Sequence, residues 1–161
     1  MLRPKEATFF NQLVEPFAIT SMDWTGNVAT FSPELLGLKN PAYADFILGN
    51  IDRDRLSDMA NGPVLRRMQQ DIDAGVGLCR ERCEYFSICG GGEPVNKLSE
   101  NGTFISTETT YCRMTKMRAT DLVLDLMELM GSRVGELAET DIRNLGAVPR
   151  AAEAVTATPV V

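Results

Sequence analysis

The sequence predicts a small α+β domain with two β-hairpins, cysteine-rich loops and a C-terminal helix. Three observations predict it. Thr25-Gly26-Asn27 and Asn101-Gly102 each fall between strand-like runs, which is the pattern of a β-hairpin. Ala119, Leu122, Val123, Leu126 and Met130 form an apolar stripe opposite Asp121, Asp125 and Glu128, as on an amphipathic helix. All four cysteines lie between Cys79 and Cys112.

Residues 1–16 are a poorly patterned lead-in, 17–131 form the domain, and 132–161 are a C-terminal extension. Phe17 to Trp24 and Val28 to Phe31 make the first hairpin. Ser32 reads as the cap of a short helix with Pro33 at its first position, ended by Gly37. Tyr43, Phe46, Ile47 and Leu48 are an apolar run closed by Gly49-Asn50, and Asp54 to Met59 suit a short helix. Pro63 starts a longer one: Leu65, Met68 and Ile72 share a face, and Gly75 supplies a stop. That helix leads to Cys79. Lys97 to Glu100 and Thr103 to Thr107 form the second hairpin, which returns the chain to Cys112. A helix follows from Tyr111 and stops at Gly131. From 147 onwards Ala, Thr, Val and Pro lack periodicity, which predicts a disordered tail.

At 161 residues the chain holds one modest domain. A net charge of −6 argues against a nucleic-acid partner. Without histidine there is no imidazole base and no Cys/His metal site. The N-terminus carries no long apolar run, so neither a signal peptide nor a membrane span is expected. The expected compartment is the cytoplasm, where clustered thiols more often hold metal than form disulfides.

Three residues separate Cys79 from Cys83, five separate Cys83 from Cys89, and twenty-two separate Cys89 from Cys112. A thiolate tetrad suits zinc or a [4Fe–4S] cluster. Structural zinc sites usually come as two close pairs, whereas Cys89 and Cys112 are isolated from each other. Gly90, Gly91 and Gly92 let bare backbone approach an inorganic core and aim N–H groups at its sulfurs. Both features favour the cluster; zinc, disulfides and free thiols remain open. The cluster that cleaves S-adenosylmethionine needs a third cysteine at position 86, which is Phe86. No S-adenosylmethionine site is therefore expected.

In these residues the chain resembles a SPASM domain, the auxiliary-cluster module at the C-terminal end of radical S-adenosylmethionine peptide maturases. That family's pattern ends Cys-x2-Cys-x5-Cys-x3-Cys, a gap, then Cys. Cys83-x5-Cys89 matches, Cys79 leads with one extra spacer residue, and Cys112 closes. Thr30-Phe-Ser-Pro-Glu-Leu-Leu-Gly37, Leu48-Gly-Asn-Ile51, Tyr85-Phe-Ser-Ile-Cys-Gly-Gly-Gly-Glu-Pro-Val-Asn-Lys97 and Thr107-Glu-Thr-Thr-Tyr-Cys112 resemble maturases that crosslink glycine-rich precursor peptides into cyclophanes. The likeness covers roughly residues 17–130. It departs from the family at Glu93, where a cysteine belongs, and in lacking the upstream cysteines and the radical-generating barrel. The resemblance implies one auxiliary [4Fe–4S] cluster on Cys79, Cys83, Cys89 and Cys112. It implies an accessory role, as electron relay or peptide-positioning surface, beside a separate radical core protein or a precursor peptide, with no catalytic residue in this chain. The alternatives are a zinc-stapled peptide-binding module and an inactive fragment of a longer maturase.

Tyr85, Glu93, Asn96 and Lys97 are candidate contacts to substrate or partner. Glu93 and Lys97 read more simply as a solvated charge pair, and Tyr85 and Phe86 as core aromatics. A helix cap accounts for Ser32 and Glu34. Met114, Met117, Met127 and Met130 suit a partner groove, with core packing the simpler expectation for those on the stripe.

Overall fold

A computed structural model of the chain describes residues 11–145, with side chains through residue 131. The tail from 147 and most of the N-terminal lead-in lie outside the described residues. The chain divides into two units, residues 1–119 and 120–161.

In the first unit, Asp23 builds the expected hairpin. Its carboxylate accepts hydrogen bonds from the Thr25 hydroxyl at 2.7 Å, from the Thr25 and Asn27 amides, and from the Asn27 carboxamide. The Thr25 hydroxyl is the largest cause holding this carboxyl down at about 2. Gly26, at φ +83°, closes the loop in the left-handed region, as a three-residue hairpin loop requires. Strand β1 (Thr20–Met22) pairs antiparallel with β2 (Asn27–Thr30), placing Met22 opposite Val28. A third strand, β3 (Gly49–Asn50), pairs with the other edge of β2. Sequence reading placed no strand there, because two residues carry no period. Asn50 explains it: buried, its carboxamide donates to Thr25 O at 2.8 Å and Asn27 Oδ1 at 3.1 Å.

The short turn Pro33–Leu35 follows Ser32 as expected, but the Ser32 side chain does not cap it; its hydroxyl bonds the Glu34 carboxylate instead. Helix α1 spans Leu56–Ala60. Helix α2 runs Pro63–Arg82, with Pro63 at its first turn as expected. Gly75 does not stop it. It is buried on the inner face, where an added Cβ would lie 2.1 Å from the Phe104 carbonyl oxygen. The buried positions of α2 are Leu65, Met68, Ile72, Gly75 and Cys79, a continuous helical stripe that ends in a thiol.

The second hairpin does not form. Helix α3 spans Phe86–Cys89 and α4 spans Pro94–Asn101, with Gly102 as the left-handed residue that ends α4. Pro94 suits the first helical turn, and Val95 and Leu98 then face the core. Asn101-Gly102 thus ends a helix instead of turning a ribbon. Residues 103–109 return as irregular chain.

Phe31, Leu35, Tyr43, Phe46, Leu65, Met68, Ile72, Val95 and Phe104 form the core. The rings of Tyr43 and Phe104 sit 5.1 Å apart. The Tyr43 hydroxyl donates to Asp71 Oδ2 at 2.7 Å. Burial first, and then this carboxylate, push the phenol up from 10 to about 12. A folded value above the unfolded one means that stability is contributed below pH 10 and lost as pH rises through 12. Denaturant unfolding should therefore show wild-type protein losing about 2 kcal/mol over that window relative to Tyr43→Phe.

Helix α5 (Thr110–Cys112) leads into a π-helical turn (Arg113–Met117) and then α6 (Arg118–Leu145). Gly131 does not stop α6. Within the second unit, Leu122, Val123, Leu126, Met127 and Met130 are exposed, so the stripe forms no core within that unit. Among the described residues no helix is long and apolar enough to cross a membrane.

Candidate metal centre

Each thiol is placed by a different local device. Cys79 ends the buried stripe of α2. Cys83 sits one turn later at the end of that helix, its amide bonded to Cys79 O at 2.9 Å. Cys89 ends α3, where Gly90 turns left-handed at φ +66° and its amide reaches Phe86 O. Cys112 lies in the first turn of α5, and its amide donates to the hydroxyl of the capping residue Thr109 at 3.1 Å. Glu100 adds two further bonds there, from the Thr110 and Tyr111 amides. Helix α4 and the irregular return, instead of a hairpin, bring the fourth thiol back.

All four cysteines line one cavity, with Phe86, Gly91, Gly92, Glu93, Lys97, Thr107, Glu108 and Thr109. Burial pushes the Cys89 thiol up. The amides of Gly91 and Gly92, hydrogen-bonded to it, pull it down, and Cys79 and Cys83 raise it again. Cys112 is also raised, first by burial, with a backbone hydrogen bond at Thr109 opposing, while the other three thiols resist its ionisation. Cys89 and Cys112 therefore resist ionisation until a cation shares the cavity.

Among the described residues no group of three or more Cys, Asp, Glu or His side chains is placed to hold a metal ion. A tetrahedral zinc ion with bonds of about 2.3 Å holds its sulfurs about 3.8 Å apart. A single χ1 rotation moves a thiol sulfur by about 3 Å without moving the backbone. The cavity offers four thiols, two glycine amides hydrogen-bonded to one of them, and the carboxylate-bearing residues Glu93 and Glu108 in its lining.

The glycine loop is held by a residue that sequence reading missed. Asn11 Nδ2 donates to Gly92 O at 3.0 Å and Gly90 O at 3.3 Å, across about eighty positions of chain. No local pattern marks such a contact. Gly90, Gly91 and Gly92 all have positive φ, and a Cβ on Gly91 would lie 2.9 Å from Val76 Cγ2. Asn11→Ala should cost about 1 kcal/mol and speed amide exchange at residues 90–92, read by hydrogen–deuterium exchange.

The candidate contacts separate. Tyr85 is half-buried and lines an open groove with Arg82, Cys83, Glu84, Thr107, Glu108 and Met117. That groove shares Cys83, Thr107 and Glu108 with the thiol cavity. Phe86 is buried, as a core aromatic should be, and the Arg80 guanidinium stacks 5.2 Å from its ring centre. Glu93 accepts from the Asn96 carboxamide at 2.7 Å, not from Lys97. Lys97 is neither a solvated pair member nor an exposed contact. It is 4% exposed, with Nζ 3.0 Å from Gly75 O and 3.3 Å from Cys79 Sγ.

No family model matches the chain significantly, and no solved structure does. An uncharacterised protein of Synechocystis is 44% identical over 113 residues, which are 70% of this chain and 28% of that protein. The chain thus spans little more than a quarter of the length of this curated relative.

Proposed function

We propose that this chain is a SPASM-like iron–sulfur module that assists radical S-adenosylmethionine maturation of a ribosomally synthesised peptide in the cytoplasm. One [4Fe–4S] cluster would be held by Cys79, Cys83, Cys89 and Cys112. The carrying observation is the convergence of all four thiols on one cavity beside the Gly91 and Gly92 amides. When bound, such a cluster supplies one-electron transfer, or fixes the surface around it.

The chain's own residues do the rest. The Gly91 and Gly92 amides donate toward sulfur, which stabilises negative charge on the thiolates. Buried Phe86 and Thr109 form part of the cavity wall. The open groove beside Cys83 supports an approach for a precursor peptide or a radical core protein, with Tyr85 as an aromatic contact. Hydrogen abstraction belongs to that separate core. The sequence resemblance supports the peptide-maturation context, and the relative's greater length is consistent with a module joined to other parts.

Anaerobic reconstitution with iron and sulfide tests the reading. About four iron and four sulfide per chain, with a reduced signal in electron paramagnetic resonance, is the expected result. Tight zinc binding without sulfide uptake overturns it in favour of a zinc staple. Co-expression with a candidate radical core and precursor, followed by mass analysis of the peptide, tests the accessory role.

A further inference from the structure

The thiol cavity has a built-in cation. Lys97 enters it from α4 with its ammonium between Gly75 O and Cys79 Sγ. The ion pairs Lys39–Asp45 and Arg113–Glu108 do not involve Lys97. Burying an ammonium without an anion is costly, and a carbonyl oxygen supplies only a dipole. The surrounding structure nevertheless makes room for it. A Cβ on Gly75 would lie 3.4 Å from Lys97 Nζ, and one on Gly92 4.0 Å from Lys97 Cε. The same cavity is lined by the four cysteines, whose sulfurs would be thiolates in a bound cluster.

We propose that Lys97 is a positioning residue and fixed counter-cation for the cluster, raising its reduction potential by favouring the more negative, reduced form. The proposal rests on the iron–sulfur reading above. Positive charge beside a cluster stabilises the state with one more electron, and cluster potentials follow net charge and hydrogen bonds to sulfur. Burial amplifies the effect, since little solvent screens the ammonium. A purely structural Lys97, satisfying only Gly75 O, would leave the potential unmoved.

The test is a mediated redox titration of the reconstituted full chain, followed by electron paramagnetic resonance, in wild type, Lys97→Met and Lys97→Arg. The expected result is a lower midpoint in Lys97→Met and a midpoint near wild type in Lys97→Arg, at equal iron and sulfide content. A Lys97→Met protein that loads fully and titrates at the wild-type midpoint overturns the proposal while leaving the cluster reading intact. A wild-type chain that takes up no sulfide overturns both. Should Lys97→Met fail to fold, wild-type protein labelled with nitrogen-15 lysine decides the matter. Pulsed resonance of the reduced cluster should then show a nitrogen-15 coupling that Lys97→Arg lacks, and its absence overturns the proposal.

Discussion

Gly75→Ala should destabilise the protein by about 3 kcal/mol, although alanine is the better helix former by about 1 kcal/mol. The two effects have opposite signs, which makes the result diagnostic. At an exposed site in the middle of α2 the substitution would stabilise. Here the new methyl carbon would lie 2.1 Å from Phe104 O, a backbone atom, with Lys97 Nζ at 3.4 Å on another side. Neither α2 nor the 103–109 return can yield without moving others: α2 carries Met68 and Ile72 in the core, and Phe104 packs against Tyr43 and Phe46. Urea unfolding monitored by circular dichroism reads the loss. The displaced return also carries the chain toward Thr109 and Cys112, so the variant should load less iron as well. Stability equal to or above wild type would show that the close approach of α2 to Phe104 is absent in solution.

Cys89→Ala should reduce iron and sulfide uptake by more than about tenfold, since even partners outside the ligand shell cost 10–100-fold in affinity. Cys89 is the thiol that receives the Gly91 and Gly92 amides and is raised chiefly by its burial, so its loss would remove one of the proposed ligands and idle the glycine loop. Its side chain is small and sits at the end of a one-turn helix, so the fold should survive, as near-native circular dichroism would verify. A second variant separates ligand from scaffold. Thr109→Ala keeps every thiol but removes the cap that holds the Cys112 amide, at a cost of about 1 kcal/mol. It should weaken cluster retention against a chelator while leaving initial loading measurable. Full loading of Cys89→Ala would remove Cys89 from the ligand set.

Much of the chain was legible without coordinates because local chemistry decides it. Asp23 to Asn27 close a hairpin whose partners are nearby in sequence. Pro63 opens α2, and the Leu65, Met68, Ile72 stripe declares its buried face. The same stripe continues through Gly75 to Cys79, which makes the first cysteine a residue of the helix and not of a loop after it. Reading Gly75 as a stop hid that continuation: the glycine is there for Phe104, which lies 29 positions further on.

The amino-acid order alone determined that four thiols, three glycines and no histidine would be concentrated in one region, because composition and spacing need no fold to be read. Only the tertiary structure decided that Asn101-Gly102 ends a helix, that Asn11 ties down the glycine loop, and that Lys97 points inward to Cys79. Those outcomes depend on which distant surfaces are buried together. A buried ammonium, or a glycine with a carbonyl oxygen against it, gains its meaning from neighbours that the linear chain does not place beside it.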